Sequence, residues 1–280
     1  MTEALVLGGG GVGGIGWITG LLAGLAEAGH DVTGADVLVG TSAGSTVAAQ
    51  LGSGVGLEEL YRRQVESGAQ TAEIMVSGDR EGRLAEIGAV IRGATTVAEM
   101  QRAVGRFALR AATVPERERR AVIASRLPSH QWPARTLKIV AVDAETGEPR
   151  VFDITSGVSL VDAVTASCAV PGVWPPATID GRRYVDGSVR SSSNADYAAG
   201  ASRVLVIVPL GTVEPFPREK PLAQAVEELR AGGADVAIIE PDAASRVAIG
   251  ANPLDPSTRK PTAEAGRAQG RRVKIEWNQG

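Results

Sequence analysis

Apolar residues fall along this chain in short runs bounded by glycine, and the runs alternate with stretches of helical spacing. Residues 4–7 and 36–39 are apolar-rich runs ended by Gly8 and Gly40, which predicts two buried strands. Between them Ile15, Ile18, Leu21, Leu22 and Leu25 recur near the helical period, which predicts a helix over 15–28 stopped by Gly29. A further helix is expected over 43–51. A strand–helix–strand unit of this kind closes as a parallel pair with a right-handed crossover, so the chain reads as α/β.

The pattern changes over residues 57–126. This stretch is rich in Arg, Glu and Ala, shows no strand, and predicts several helices standing between the two halves of an α/β pattern. It is a candidate cap or partner surface; the plain alternative is the solvated faces of ordinary helices. Strands resume at 137–142, and 150–154 returns as a hairpin after Glu145-Thr146-Gly147. A helix over 160–168 stops before Pro171, and 178–185 reads as a hairpin turned by Asp180-Gly181. Residues 204–208 and 234–239 are strands, and 262–277 is a closing helix weakened by Gly266 and Gly270. No repeat and no long linker divides the chain, so residues 1–280 are expected to form one catalytic domain with a helical, cap-like insertion at about 57–126.

Composition narrows the function classes. A formal net charge of −3 gives no footing for nucleic acid, so no nucleic-acid partner is expected. The single cysteine, Cys168, excludes an intramolecular disulfide and a cysteine-based zinc site, and reads as a small packing residue. Residues 4–26 carry no charge and resemble a leader or a span. Yet no Lys or Arg precedes Arg62, and nine of those residues are glycine, which argues against both and for a soluble, cytoplasmic protein.

The chemistry lies in the two glycine-framed turns. Gly40-Thr41-Ser42-Ala43-Gly44 fits the G-x-S-x-G elbow, in which a serine sits on a sharp strand-to-helix turn above a sheet, so Ser42 is the candidate nucleophile. Gly8 to Gly11 offer consecutive backbone N–H groups of the kind that hold an oxyanion. Together they suggest an acyl-transferring hydrolase. A serine needs a base, and the chain holds only two histidines. His30 belongs to the far end of the first helix and His130 to a polar loop, so neither is well placed. Asp186, in Val185-Asp186-Gly187-Ser188, follows a short strand and is the better candidate. A rival reading takes Gly9, Gly11 and Gly14 as a dinucleotide fingerprint of an oxidoreductase, but the acidic residue expected at the end of the second strand is replaced by the elbow. A third reading is a catalytically inactive acyl-binding module.

These segments, with Ala-Ser-Cys-Ala-Val-Pro-Gly-Val-Trp-Pro-Pro at 166–176 and the stretch 184–196, are colinear, and the chain resembles the patatin-like phospholipases. The resemblance implies a three-layer α/β/α sandwich with a mostly parallel central sheet. It implies a Ser42–Asp186 dyad and an oxyanion hole from Gly9, Gly10 and Gly11, with Gly14, Gly40, Gly44 and Gly187 as motif glycines. It implies no metal and no cofactor, and a lipid or small ester substrate (phospholipase A or esterase chemistry). The Arg-rich helices between Arg62 and Arg126 are the candidate surface for peripheral contact with a membrane. Two positions depart from the family pattern. Gly13 stands where many members carry a basic residue, which weakens the expectation of anionic phospholipids, and Ser188 follows Gly187 where Gly or Ala is usual.

Overall fold

The computed structural model describes residues 1–75 and 80–277; part of the expected helical insertion, 76–79, lies outside the described residues. Eight strands form one sheet: β1 (Glu3–Leu7), β2 (Val37–Thr41), β3 (Thr136–Asp143), β4 (Pro149–Phe152), β5 (Ala177–Ile179), β6 (Arg182–Asp186), β7 (Arg203–Ile207) and β8 (Asp235–Ile239). Their order is β5-β6-β3-β2-β1-β7-β8, with β4 also paired to β3. The strands β3, β2, β1, β7 and β8 run parallel, while β4, β5 and β6 are antiparallel additions. The sheet is thus mixed and mostly parallel, with helices on both sides, as the expected three-layer α/β/α sandwich requires.

Alternation along the strands explains the layering, since successive side chains point to opposite faces. Leu5, Leu7, Leu38, Ile139, Leu205 and Ile207 enter one core, under α1 (Gly11–Glu27), α2 (Ala43–Leu51) and α7 (Leu160–Ser167). Ala4, Val6, Val39, Val140, Val204 and Val206 enter the other, against α8 (Leu222–Ala231). Both faces are covered, so the strands read as continuous apolar runs.

The insertion is α3 (Leu57–Val65), α4 (Arg80–Arg92), α5 (Val97–Arg110) and α6 (Glu116–Arg126). Met100, Val104 and Ala108 of α5 pack with Val142, Val185 and Val189 at the open end of β3 and β6. The remaining helices are α9 (Ala243–Ile249) and α10 (Arg259–Gly270).

Three differences from the sequence pattern have physical causes. Helix α1 begins at Gly11 rather than residue 15, because the glycine loop itself turns into the first helical turn. The closing helix spans Arg259–Gly270, not 262–277, and Val273, Ile275 and Trp277 beyond it pack on the core from chain that is neither helix nor strand. Its glycines do not weaken it. A Cβ on Gly266 would lie 2.4 Å from the Trp17 carbonyl oxygen and one on Gly270 2.3 Å from that of Leu21, so these glycines let α10 lie backbone-to-backbone on α1. Helices α8 and α9 answer to no expected element; at ten and seven residues, both are too short for a helical period to stand out.

Candidate active site

Sheet register brings the two candidate catalytic side chains together. Thr41, which precedes Ser42, is paired with Val140 of β3, and the next residue of β3, Ala141, is paired with Asp186 of β6. Ser42 and Asp186 therefore leave the same edge of the sheet on either side of one strand.

Ser42 joins β2 to α2 with φ 53° and ψ −117°, a backbone state that L-residues adopt at a cost of about 1–3 kcal/mol. Local bonds hold it there. Its N–H donates to Ser167 Oγ at 2.9 Å, and that hydroxyl donates to the Val140 carbonyl at 2.7 Å. The Ser42 carbonyl accepts from the Ser45 N–H at 2.9 Å, from Ser45 Oγ at 2.7 Å and from Cys168 Sγ at 3.2 Å. Cys168 is thereby a buried prop of the elbow; burial pushes its thiol pKa up, away from nucleophilic character. The flanking glycines are sterically required. A Cβ on Gly44 would sit 1.9 Å from the Leu7 carbonyl oxygen, and one on Gly40 2.5 Å from Ser45 Cα.

Asp186 is fully buried at the end of β6. Its Oδ1 accepts from the Ser188 N–H at 2.9 Å, and its own N–H donates to the Ala169 carbonyl at 3.0 Å. Oδ2 has no partner in strict hydrogen-bond geometry among the described residues. Burial raises the carboxyl pKa above its ordinary value, opposed first by the adjacent Ser42 hydroxyl and then by the Ser188 amide. Gly187 makes the turn possible, because a Cβ there would lie 2.3 Å from the Val140 carbonyl oxygen.

Asn194, absent from the sequence expectation, clamps these segments. Its amide donates to Thr41 Oγ1 at 3.0 Å, to the Gly187 carbonyl at 3.2 Å and to the Ser191 carbonyl at 3.1 Å, while its Oδ1 accepts from Arg190 Nη1 at 2.9 Å. One buried amide thus ties the strand before Ser42 to the turn after Asp186. Its only sequence signal was a polar residue inside the stretch 184–196.

The glycine loop lies over Ser42, with a Cβ on Gly9 falling 3.6 Å from Ser42 Cβ. The Gly9 N–H is already used, donating to the Ser192 carbonyl at 3.0 Å. Those of Gly10 and Gly11 make no protein hydrogen bond among the described residues. Gly11, at φ 61°, opens α1, so two helix N-termini converge on the space above Ser42. Gly14 packs against Ala43, its added Cβ falling 3.3 Å from that residue.

Neither histidine is near. His30 lies with Glu3 and Ala4 at the opposite end of the sheet, and exposed His130 faces the Ala124 carbonyl at 2.9 Å. Asp36, the acid that immediately precedes β2, accepts from the Glu3 N–H at 2.8 Å at that same far end, and β2 ends in the elbow rather than in the acidic residue that would read a ribose. Among the described residues no group of three His, Cys, Asp or Glu is placed to hold a metal ion, and no helix is long and apolar enough to cross a membrane.

The cleft beside Ser42 is lined by Gly11, Ile15, Trp174 and Leu254, and from the insertion by Glu73, Arg119 and Arg126. Sequence reasoning missed these last three, since they lie scattered in a stretch crowded with charge.

Comparison with known proteins shows the family of the chain. Residues 5–199 match the model of the Patatin-like phospholipase family. Among solved structures, VipD from Legionella pneumophila superposes with TM-score 0.45 at 12% identity, over 96% of this chain and 66% of that one. The type III effector ExoU of Pseudomonas aeruginosa gives TM-score 0.42 at 17% identity, over 96% of this chain and 52% of that one. The chain thus spans about half to two thirds of the length of these proteins.

Proposed function

The chain belongs to the patatin-like phospholipase family, and on that footing we propose that it is a lipid acyl hydrolase working through a Ser42–Asp186 dyad. The observation that carries this reading is the meeting of a strained serine, a buried carboxylate with one free oxygen, and two unused amides at one sheet edge.

Asp186 takes the Ser42 proton as Oγ attacks the ester carbonyl carbon. The carbonyl oxygen, now negative, is held by the amides of Gly10 and Gly11, while Gly9 supplies room for it to approach. Collapse returns that proton to the leaving alcohol and leaves an acyl group on Ser42. Water then attacks the acyl carbon, giving its proton to Asp186, and Ser42 leaves with that proton restored. The raised pKa makes Asp186 a stronger base than an exposed carboxylate.

Helix α6 and the segment carrying Glu73 cover the cleft as a cap. Trp174 is shared by the cleft and by a groove of about 300 Å³ lined by Ile74, Met75, Val114 and Val173, a path for an acyl chain. The loop after β7 carries exposed Leu210, Val213 and Phe216, and β7 ends beside the glycine loop, where the Gly8 N–H donates to the Ile207 carbonyl at 2.9 Å. Apolar tips at the active edge suit peripheral contact with a lipid surface.

Hydrolysis of p-nitrophenyl butyrate and of phosphatidylcholine by the wild type and Ser42→Ala tests the reading. The wild type cleaves an ester and the variant loses at least about 10³-fold in kcat. Retained turnover in the purified variant removes Ser42 from the reaction.

A further inference from the structure

The cleft beside Ser42 holds more positive charge than its function as an ester site requires. Arg119 and Arg126 stand two helical turns apart on one face of α6, both about 5% exposed at their side chains. Arg119 Nη1 lies 2.8 Å from Glu73 Oε1, and its guanidinium stacks 3.8 Å from the centre of the Trp174 ring. Arg126 pairs with the same Glu73 carboxylate. A third buried arginine, Arg259, donates to the Thr71 carbonyl at 2.8 Å, two residues before Glu73.

One carboxylate thus answers two guanidiniums. The Nε atoms of both Arg119 and Arg126 have no hydrogen-bond acceptor among the described residues, although they are buried. Burying charge is costly unless it is paired and fully hydrogen-bonded, so an incompletely satisfied pair of arginines facing a cleft is a poor stabiliser of the fold. It is a good receptor for an anion with several oxygens, since guanidinium groups bind phosphate through paired N–H donors. Glu73 comes from residues 71–75, which form neither helix nor strand, so its carboxylate is held by these ion pairs and by the Ile74 N–H, which donates to Oε1 at 2.9 Å, rather than by a rigid element. Burial lowers the pKa of both arginines to about 10, which leaves both charged at neutral pH.

We propose that Arg119 and Arg126 form an anion subsite that receives the phosphate group of the ester substrate, with Glu73 as the internal counter-anion that the phosphate displaces. The assignment rests on the hydrolase reading for its substrate and on side-chain geometry alone for its ligand.

Two measurements separate these layers. Calorimetric titration of inorganic phosphate needs no turnover. Glu73→Gln should bind phosphate at least tenfold more tightly than the wild type, and Glu73→Gln with Arg119→Gln, which removes one of the two guanidiniums and whose melting curve is recorded beside the titration, should lose that gain. Kinetics then compare two esters of one acyl chain, lysophosphatidic acid and the neutral monoacylglycerol. Arg119→Lys should lower the ratio of their kcat/KM values at least tenfold, with the loss in KM for the phosphate-bearing ester. Equal phosphate affinity in the wild type and Glu73→Gln, or an unchanged ratio in Arg119→Lys, overturns the subsite. If neither ester is cleaved, titration alone decides the anion site, and the hydrolase reading stands or falls on p-nitrophenyl butyrate and phosphatidylcholine.

Discussion

Replacing Gly44 by alanine puts a methyl group where the structure has none to spare. The new Cβ would meet the Leu7 carbonyl oxygen at 1.9 Å and its carbon at 2.3 Å, whereas ordinary contact begins at 3.4 Å. Relief requires α2 to withdraw from β1 by about 1.5 Å, and both sides of the contact are backbone, with no side chain to rotate away. Overpacking of this kind costs about 1–3 kcal/mol, and an unyielding neighbour argues for the upper end. At about 2–4 °C per kcal/mol for a chain of this size, the melting temperature should fall by about 6–12 °C. Because Ser42 is the residue before α2, the same withdrawal shifts the nucleophile, and a displacement of about 1 Å costs about 10²-fold in rate. Calorimetry and ester turnover on Gly44→Ala would be set against Gly34→Ala, at an exposed turn with open surroundings and no left-handed φ, which predicts a change within about 0.5 kcal/mol. A Gly44→Ala protein melting with the wild type and equally active would refute the steric account of the elbow.

Asp186→Asn should lose at least about 10³-fold in kcat, and the wild-type rate should rise with pH through an ionisation above the ordinary 3.8 of an aspartate, a limb absent from the variant. The linkage has a definite sign: a raised folded-state pKa means that ionised Asp186 opposes folding above that pKa, so Asp186→Asn should melt no lower than the wild type at pH 7, with its advantage fading as pH falls. His30→Ala and His130→Ala should keep turnover within about threefold, since neither imidazole is near Ser42; a larger loss at unchanged melting temperature would bring in a histidine base. Val213→Asp, at an exposed loop position, should weaken sedimentation with phosphatidylcholine vesicles without changing the melting temperature; equal sedimentation would remove this loop from membrane contact.

The strands and the elbow were legible because both depend on local chemistry. Residues 4–7 and 204–208 are apolar on both faces, as a covered parallel strand must be, and Gly40 and Gly44 bracket Ser42 because helix and strand touch there. Legibility ended where function depends on long-range contact. Gly266 and Gly270 read as helix breakers, since their value lies in the approach of α1, far away in sequence. The pattern showed glycines at 9, 10 and 11 but not that the Ser192 carbonyl occupies the first amide. Arg119, Arg126 and Glu73 looked like any charges of a solvated helix until folding buried them together, and Asn194 had no local pattern to mark its three donated bonds.

The most direct test of the dyad is covalent trapping. A fluorophosphonate should react with the wild type, and peptide mass spectrometry should place one adduct on Ser42. Labelling should fall by at least about 10²-fold in Asp186→Asn, because the buried carboxylate is the proton acceptor. An adduct on another residue, or labelling of Ser42 at an undiminished rate in Asp186→Asn, would contradict a serine activated by Asp186.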